Sequence, residues 1–160
     1  MDIYIAYYTS EIGVLEIKGN DRGILSVNYA SEPREYPADI PACLQACVTQ
    51  LDEYFRGQRQ SFSLPLQPQG SSFERQVWNE LLNIPFGETR SYGAIASTLG
   101  DIKLSRDVGV ANARNPIAII VPCHRVIGSD GTLTGYAGGL WRKEWLLAHE
   151  GRPFQKRLFG

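Results

Sequence analysis

Cys123 and His124 stand side by side in the stretch Ile117–Gly128, IAIIVPCHRVIG, and Glu150 follows in AHEG. A cysteine becomes a strong nucleophile as its thiolate, and a nearby histidine can accept the proton. A histidine in that role needs a hydrogen-bond acceptor to orient it, and Glu150 is a candidate carboxylate. Adjacent side chains of an extended chain point to opposite faces, so neighbouring positions do not ensure contact. Pro122 fixes a dihedral and removes an N–H donor, which turns the chain there. At such a turn Cys123 and His124 can converge, or meet through a water. The competing reading is a buried structural cysteine, because free cysteine is among the most buried residue types. Spacing alone leaves both readings standing.

The other chemistry-bearing residues read as structural. Cys43 and Cys47 are four apart on an expected helix and read as small apolar residues. A zinc site normally has four ligands, and His124 and His149 have no metal-type spacing to that pair, so no metal or other cofactor is expected. His149 suits a helix C-terminus electrostatically. Trp141 and Trp145 are spaced for helical core packing.

Positioning these residues requires a folded domain, and the composition allows one. The 160 residues are 43% hydrophobic and 21% charged, which fits one domain or two small ones. The three cysteines argue against a disulfide framework and for a reducing compartment. No apolar run reaches membrane-spanning length, and MDIYIAYYTSEIG lacks the basic start and long apolar centre of a signal peptide, so a cytoplasmic protein is expected, nucleoid-associated if prokaryotic. The net charge of −1 gives no bulk argument for nucleic-acid binding.

Residues 1–30 alternate β-rich runs with turn residues and predict a small antiparallel sheet. SEPREYPADIP is a proline-rich loop. ACLQACVTQLDEYFRG predicts a helix entered at Pro41 and stopped at Gly57. SFSLPLQPQGSS is an extended connector, which places a boundary between domains 1–68 and 69–160. Beyond it, Ser71 and Glu74 have capping-box spacing ahead of an apolar stripe at Phe73, Val77, Leu81 and Ile84. Ser91 caps a short helix, and a further helix carrying Leu104, Val108 and Ala111 ends at Asn115-Pro116. The two form a helix-turn-helix pattern, which on its own is weak. IAIIV reads as a buried strand, Gly128–Gly139 as a glycine-rich loop and LWRKEWLLAHEG as a last helix. The tail RPFQKRLFG shows no pattern. The fold class is α+β: a sheet-and-helix domain, then a mainly helical domain with a winged helix-turn-helix and the cysteine.

FERQVWNELLNIPFGETRSYGAIA, followed by PCHRV, GYAGG and KEWLLAHEG in that order and spacing, closely resembles the O6-alkylguanine-DNA alkyltransferases, also called methylated-DNA–protein-cysteine methyltransferases. The resemblance covers roughly residues 71–151. It implies single-turnover transfer of an alkyl group from O6-alkylguanine in duplex DNA to Cys123, with O4-alkylthymine as a further candidate substrate. It assigns the proton relay to His124 and Glu150 through a water, and to Asn115 a bridge between the recognition helix and the active-site strand. Tyr92 would crowd the target phosphate and rotate the nucleotide out, and Arg106 would fill the vacated stack. Tyr136 would wall the guanine pocket, and the main chain at Cys123, Val126 and Ala137 would read the base edge. Arg114 stands where the family usually has a small residue and is a candidate phosphate contact.

The expected partner is double-stranded DNA, bound by a protein that is monomeric in solution, with cooperative assembly on DNA open. Between Arg75 and Arg125 six basic residues (Arg75, Arg90, Lys103, Arg106, Arg114, Arg125) face four acidic ones (Glu80, Glu88, Asp101, Asp107), which predicts modest, sequence-independent binding. Two other classes compete. A helix-turn-helix module that only recognises alkylated bases or regulates transcription would not need the acceptor cysteine, and a Cys–His–Glu thiol hydrolase would turn over.

Overall fold

The structure is a computed structural model that describes residues 2–31 and 35–151. Part of the proline-rich loop and the whole 152–160 tail, for which the sequence predicts no pattern, lie outside the described residues. The chain forms two compact units, Met1–Gln69 with Pro116–Ile120, and Gly70–Asn115 with Val121–Gly160.

In the first unit, β1 (Tyr4–Ser10), β2 (Gly13–Asn20) and β3 (Gly23–Tyr29) form an antiparallel sheet in the order β1-β2-β3. Period-2 alternation sends Ala6, Leu15, Ile17 and Val27 to one fully buried face. Helix α1 (Gln45–Phe55), entered through a 3-10 turn at Ala42–Leu44, packs against β1 and buries Leu44, Cys47, Leu51 and Tyr54. Each of the two leucines contributes roughly 1.5–3 kcal/mol by burial. Gly57, at φ 77°, ends the helix in the left-handed region that glycine adopts without strain. Cys47 is buried, and burial pushes its thiol up to about 12, so it is inert.

The expected strand over IAIIV is not formed. Ile117 makes one isolated parallel bridge to Val27, where Val27 N–H donates to Pro116 O at 2.9 Å and Ala118 N–H to Val27 O at 3.0 Å. The chain then turns: Ile120 N–H donates to Ala118 O at 2.8 Å across Ile119, whose φ is 72°. That is a γ-turn at a β-branched residue, a strained conformation. The run is buried throughout, as expected, but a short apolar run reports burial and not extension.

The second unit contains α2 (Ser72–Leu81), β4 (Arg90–Ser91), α3 (Tyr92–Thr98), α4 (Ser105–Ala113), β5 (Val126–Ile127) and α5 (Leu140–His149). The capping box forms: Ser71 Oγ accepts from Glu74 N–H at 3.1 Å, and Glu74 Oε1 accepts from Ser71 N–H at 2.9 Å. Ser91 caps α3, accepting from Ala94 N–H at 3.0 Å. Helices α3 and α4 pack together as the helix-turn-helix, joined by a 3-10 turn at Ile102–Leu104. Val77, Leu81, Ile95, Val108 and Leu146 form the core. Trp78 adds its ring and donates Nε1–H to Ala111 O at 2.8 Å, satisfying a carbonyl at the end of α4. β4 and β5 pair in parallel, Arg90 with Val126 and Ser91 with Ile127. Among the described residues no helix is long and apolar enough to cross a membrane.

Trp141 does not pack in the core. It is 55% exposed at the start of α5, with the Arg142 guanidinium 4.7 Å above its ring. Trp145 is half-buried and stacks on His149 at 4.9 Å.

Candidate active site

Pro122 has φ −82° and ψ 64°, and Cys123 N–H donates back to Val121 O at 2.8 Å. These are the dihedrals and the bond of an inverse γ-turn, which proline favours because its φ is preset. A single 3-10 turn, Cys123–Arg125, follows directly. The reversal places Cys123, His124 and Arg125 together in the interior, each 6% exposed or less.

His124 and Glu150 meet, with Nε2 and Oε2 2.8 Å apart and both side chains fully buried. Glu150 also takes a two-pronged hold from Arg125, Nε–H to Oε1 at 2.7 Å and Nη2–H to Oε2 at 3.0 Å. Arg125 Nη1–H is satisfied by Ile84 O at 2.7 Å. Burial pushes the Glu150 carboxyl up, but the hydrogen bonds of His124 and Arg125, the Arg125 charge and the charge His124 carries whenever it is protonated outweigh it and hold it well below the usual carboxylate range. Burial pushes His124 down, against the pull of Glu150, so the imidazole is neutral at neutral pH. An ionised carboxylate only accepts, so Nε2 carries the hydrogen and Nδ1 presents a lone pair. Nδ1 is buried and has no hydrogen-bond partner among the described residues. The ring is therefore set as a proton acceptor, although neither nitrogen bonds the thiol directly.

The thiol has a mixed environment. Burial raises Cys123, whereas a hydrogen bond from Asn115 and the charge of Lys143 lower it. Asn115 Nδ2 also donates to Val121 O at 2.8 Å, tying the end of α4 to the turn before the cysteine. Lys143 is a site residue that the sequence reading passed over. Its side chain is fully buried, and Nζ donates to Val126 O at 2.6 Å and to Thr134 O at 3.2 Å. Burial lowers it to about 8 while the negative charge of an ionised Cys123 raises it. Arg125 was passed over too, having been counted with the DNA-facing charges; its charge is spent internally on Glu150. A signal for Lys143 was available: with Leu146, Leu147 and Glu150 it occupies the i, i+3, i+4, i+7 stripe of the buried face of α5.

The remaining sequence-derived residues are distributed around this centre. Tyr92 is half-buried at the start of α3, its hydroxyl 2.7 Å from Thr134 Oγ1 in the glycine-rich loop. Val126 is fully buried, Tyr136 half-buried and Ala137 exposed. Arg106 is exposed on α4. Arg114 is exposed at the end of α4, 3.7 Å from Glu74, so its charge is partly engaged within the unit. Among the described residues no cluster of His, Cys, Asp or Glu is arranged to hold a metal ion.

Comparison with known proteins gives a consistent result. Residues 72–152 match the family model described as 6-O-methylguanine DNA methyltransferase, DNA binding domain, and residues 3–68 match that of its ribonuclease-like domain. The methylated-DNA–protein-cysteine methyltransferase of Methanosarcina acetivorans is 47% identical over 93% of this chain and 99% of its own length. That of Mycolicibacterium paratuberculosis is 48% identical over 94% of each. The crystal structure of Mycobacterium tuberculosis O6-methylguanine methyltransferase superposes with a TM-score of 0.84 at 42% identity, covering 99% of this chain and 100% of that one. A structure of the M. tuberculosis protein in complex with DNA gives 0.82 at 43% identity, covering 96% and 98%. The chain belongs to the O6-alkylguanine-DNA alkyltransferase, or methylated-DNA–protein-cysteine methyltransferase, family.

Proposed function

We propose that the protein repairs duplex DNA by transferring the alkyl group of O6-alkylguanine to Cys123 in a single turnover. The observation that carries this reading is the buried Glu150–His124 pair, whose Nδ1 has no partner among the described residues, on the residue that follows a buried cysteine at a proline turn. Family membership and the DNA complex of the M. tuberculosis relative support DNA as the partner.

The Cys123 proton passes through an intervening water to His124 Nδ1, and ionised Glu150 stabilises the imidazolium that forms. The sulfur lone pair attacks the alkyl carbon in line. The C–O6 bond breaks, its electron pair goes to the guanine oxygen, and a proton restores guanine. Lys143 opposes the burial that otherwise disfavours the thiolate. A base in a stacked duplex is out of reach of a buried thiol, so the nucleotide must be extruded, at a cost of a few kcal/mol in unstacking. Tyr92 and Arg106 serve that step from the helix-turn-helix, Arg106 by filling the vacated stack. Tyr136, Val126 and Ala137 line the base pocket.

The product is a thioether that water does not cleave, and the other two cysteines, Cys43 and Cys47, lie on the α1 segment of the other unit. With excess O6-methylguanine duplex, lesions removed should therefore plateau at one per protein molecule. Continued turnover contradicts the reading and favours a thiol hydrolase. Binding without lesion loss favours a recognition module.

A further inference from the structure

The recognition helix holds the acceptor at a second point. The buried residues of α4 are Val108, Ala111 and Asn112, and Asn112 is only 4% exposed. Its Nδ2 donates to the main-chain oxygen of Cys123 at 3.4 Å. Three residues on, Asn115 Nδ2 donates to Val121 O at 2.8 Å. The two acceptors flank Pro122, the residue whose turn aims the thiol. Two carboxamides, one in the last turn of α4 and one just beyond it, thus grip the γ-turn from either side. The carbonyl of Pro122 itself is taken up by Arg125 N–H at 3.0 Å.

Asn112 is an expensive choice for this position. Its Oδ1 is buried and has no partner among the described residues. A buried polar atom left unpaired costs stability that an apolar side chain of the same shape avoids. Such a local departure from folding optimality is expected where a residue serves function.

We propose that Asn112 is a positioning residue for alkyl transfer, clamping the Cys123 main chain to the recognition helix so that the element that docks on DNA also sets the direction of the thiol. This rests on Cys123 being the alkyl acceptor. In-line attack demands close alignment, and a misplacement of about 1 Å can cost on the order of a hundredfold.

The test is Asn112→Leu, which keeps the shape and removes both polar atoms. Melting temperature is measured alongside single-turnover rates with O6-methylguanine duplex and with free O6-benzylguanine, and the rate of alkylation by iodoacetamide across pH. Iodoacetamide needs a thiolate but no aligned guanine. The expected result is a melting temperature equal to or above wild type, both guanine substrates slowed by a similar factor of about ten to a hundred, and an unchanged iodoacetamide profile. Unchanged guanine rates overturn the proposal. So does a loss shared equally by iodoacetamide and accompanied by a lower melting temperature, which marks a structural role. If the Leu variant does not fold, Asn112→Asp decides: it keeps the shape, loses the donor and adds a negative charge near the thiol. It should slow transfer and move the iodoacetamide profile to higher pH, and a wild-type rate overturns the proposal. Wild-type protein that reacts with iodoacetamide but takes no methyl group from DNA sinks the acceptor reading itself. Wild type that transfers, with an Asn112→Leu variant just as fast, sinks only this inference.

Discussion

The interior around Cys123 and the outer face of α4 handle charge in opposite ways. His124, Arg125, Lys143 and Glu150 are buried, and each is held by short hydrogen bonds to another member or to a main-chain oxygen. Arg106 and Arg114 stand in solvent, and Arg114 makes a loose pair with Glu74 at 3.7 Å. Buried charges must be paired because desolvation is costly, and that pairing fixes geometry to a fraction of an ångström. Exposed arginines are cheap to keep and free to move to phosphates or into a base stack. On the proposed function reactivity belongs to the interior and substrate capture to the surface, so substitutions in the two regions should fail differently.

The largest effect is expected at the acceptor. Cys123→Ser should abolish transfer to both duplex and free O6-benzylguanine while leaving DNA affinity within a few-fold, as measured by single-turnover kinetics and a binding titration. Residual methyl removal would break the contrast at its centre.

Glu150→Gln comes next. It should slow transfer by about 10²–10⁴-fold, since a neutral amide cannot stabilise the imidazolium. It also strands Arg125, and stability should fall by on the order of 3–5 kcal/mol in a denaturant titration. A wild-type rate would remove Glu150 from the relay.

Lys143→Met sharpens the electrostatic part. Because burial raises the Cys123 thiol, the rate of transfer should climb with pH as thiolate accumulates. Lys143 favours the charged thiolate, so removing it raises the thiol further and shifts the rising limb to higher pH. Lys143 itself loses its proton near about 8, so the two pH–rate profiles should converge above that pH. Superimposable profiles would show that Lys143 only braces the carbonyls of Val126 and Thr134.

The smallest effects belong to the surface. Arg106→Ala should slow duplex repair but spare free O6-benzylguanine, which needs no extrusion. An equal loss on both would mean that the arginine supports the fold or the pocket. Arg114→Ala should leave both rates near wild type and lower the salt dependence of DNA binding by about one phosphate contact or less, given its pairing with Glu74.

Local signals were the readable ones. The capping box at Ser71 and Glu74, the cap at Ser91 and the turn at Pro122 depend on a few neighbouring residues and formed as expected. For Cys123, His124 and Glu150 spacing left two readings open and the family resemblance chose between them; the buried His124–Glu150 contact is long-range and only the fold shows it. IAIIV reads as a strand because an apolar run specifies burial, whereas its bridge to Val27 depends on distant chain and the turn at Ile119, a β-branched residue at positive φ, has no signal in the residue types. Arg125 was misassigned to the DNA-facing charge because its partner, Glu150, lies 25 residues away in sequence. Without it the helix-turn-helix region has five basic residues rather than six against the same four acidic ones, so its surface is closer to neutral than the sequence count suggested. Asn112 was invisible because nothing local shows that a carboxamide reaches the Cys123 carbonyl.

The central claim is that the interior, and Cys123 within it, receives the alkyl group. The most direct test is to incubate the protein with excess O6-methylguanine duplex, measure the intact mass and map the modified peptide. The account predicts a mass increase of a single methyl-for-hydrogen replacement, located entirely on Cys123, with Cys43 and Cys47 unmodified. An unmodified protein, or a methyl group on any other residue, would contradict it.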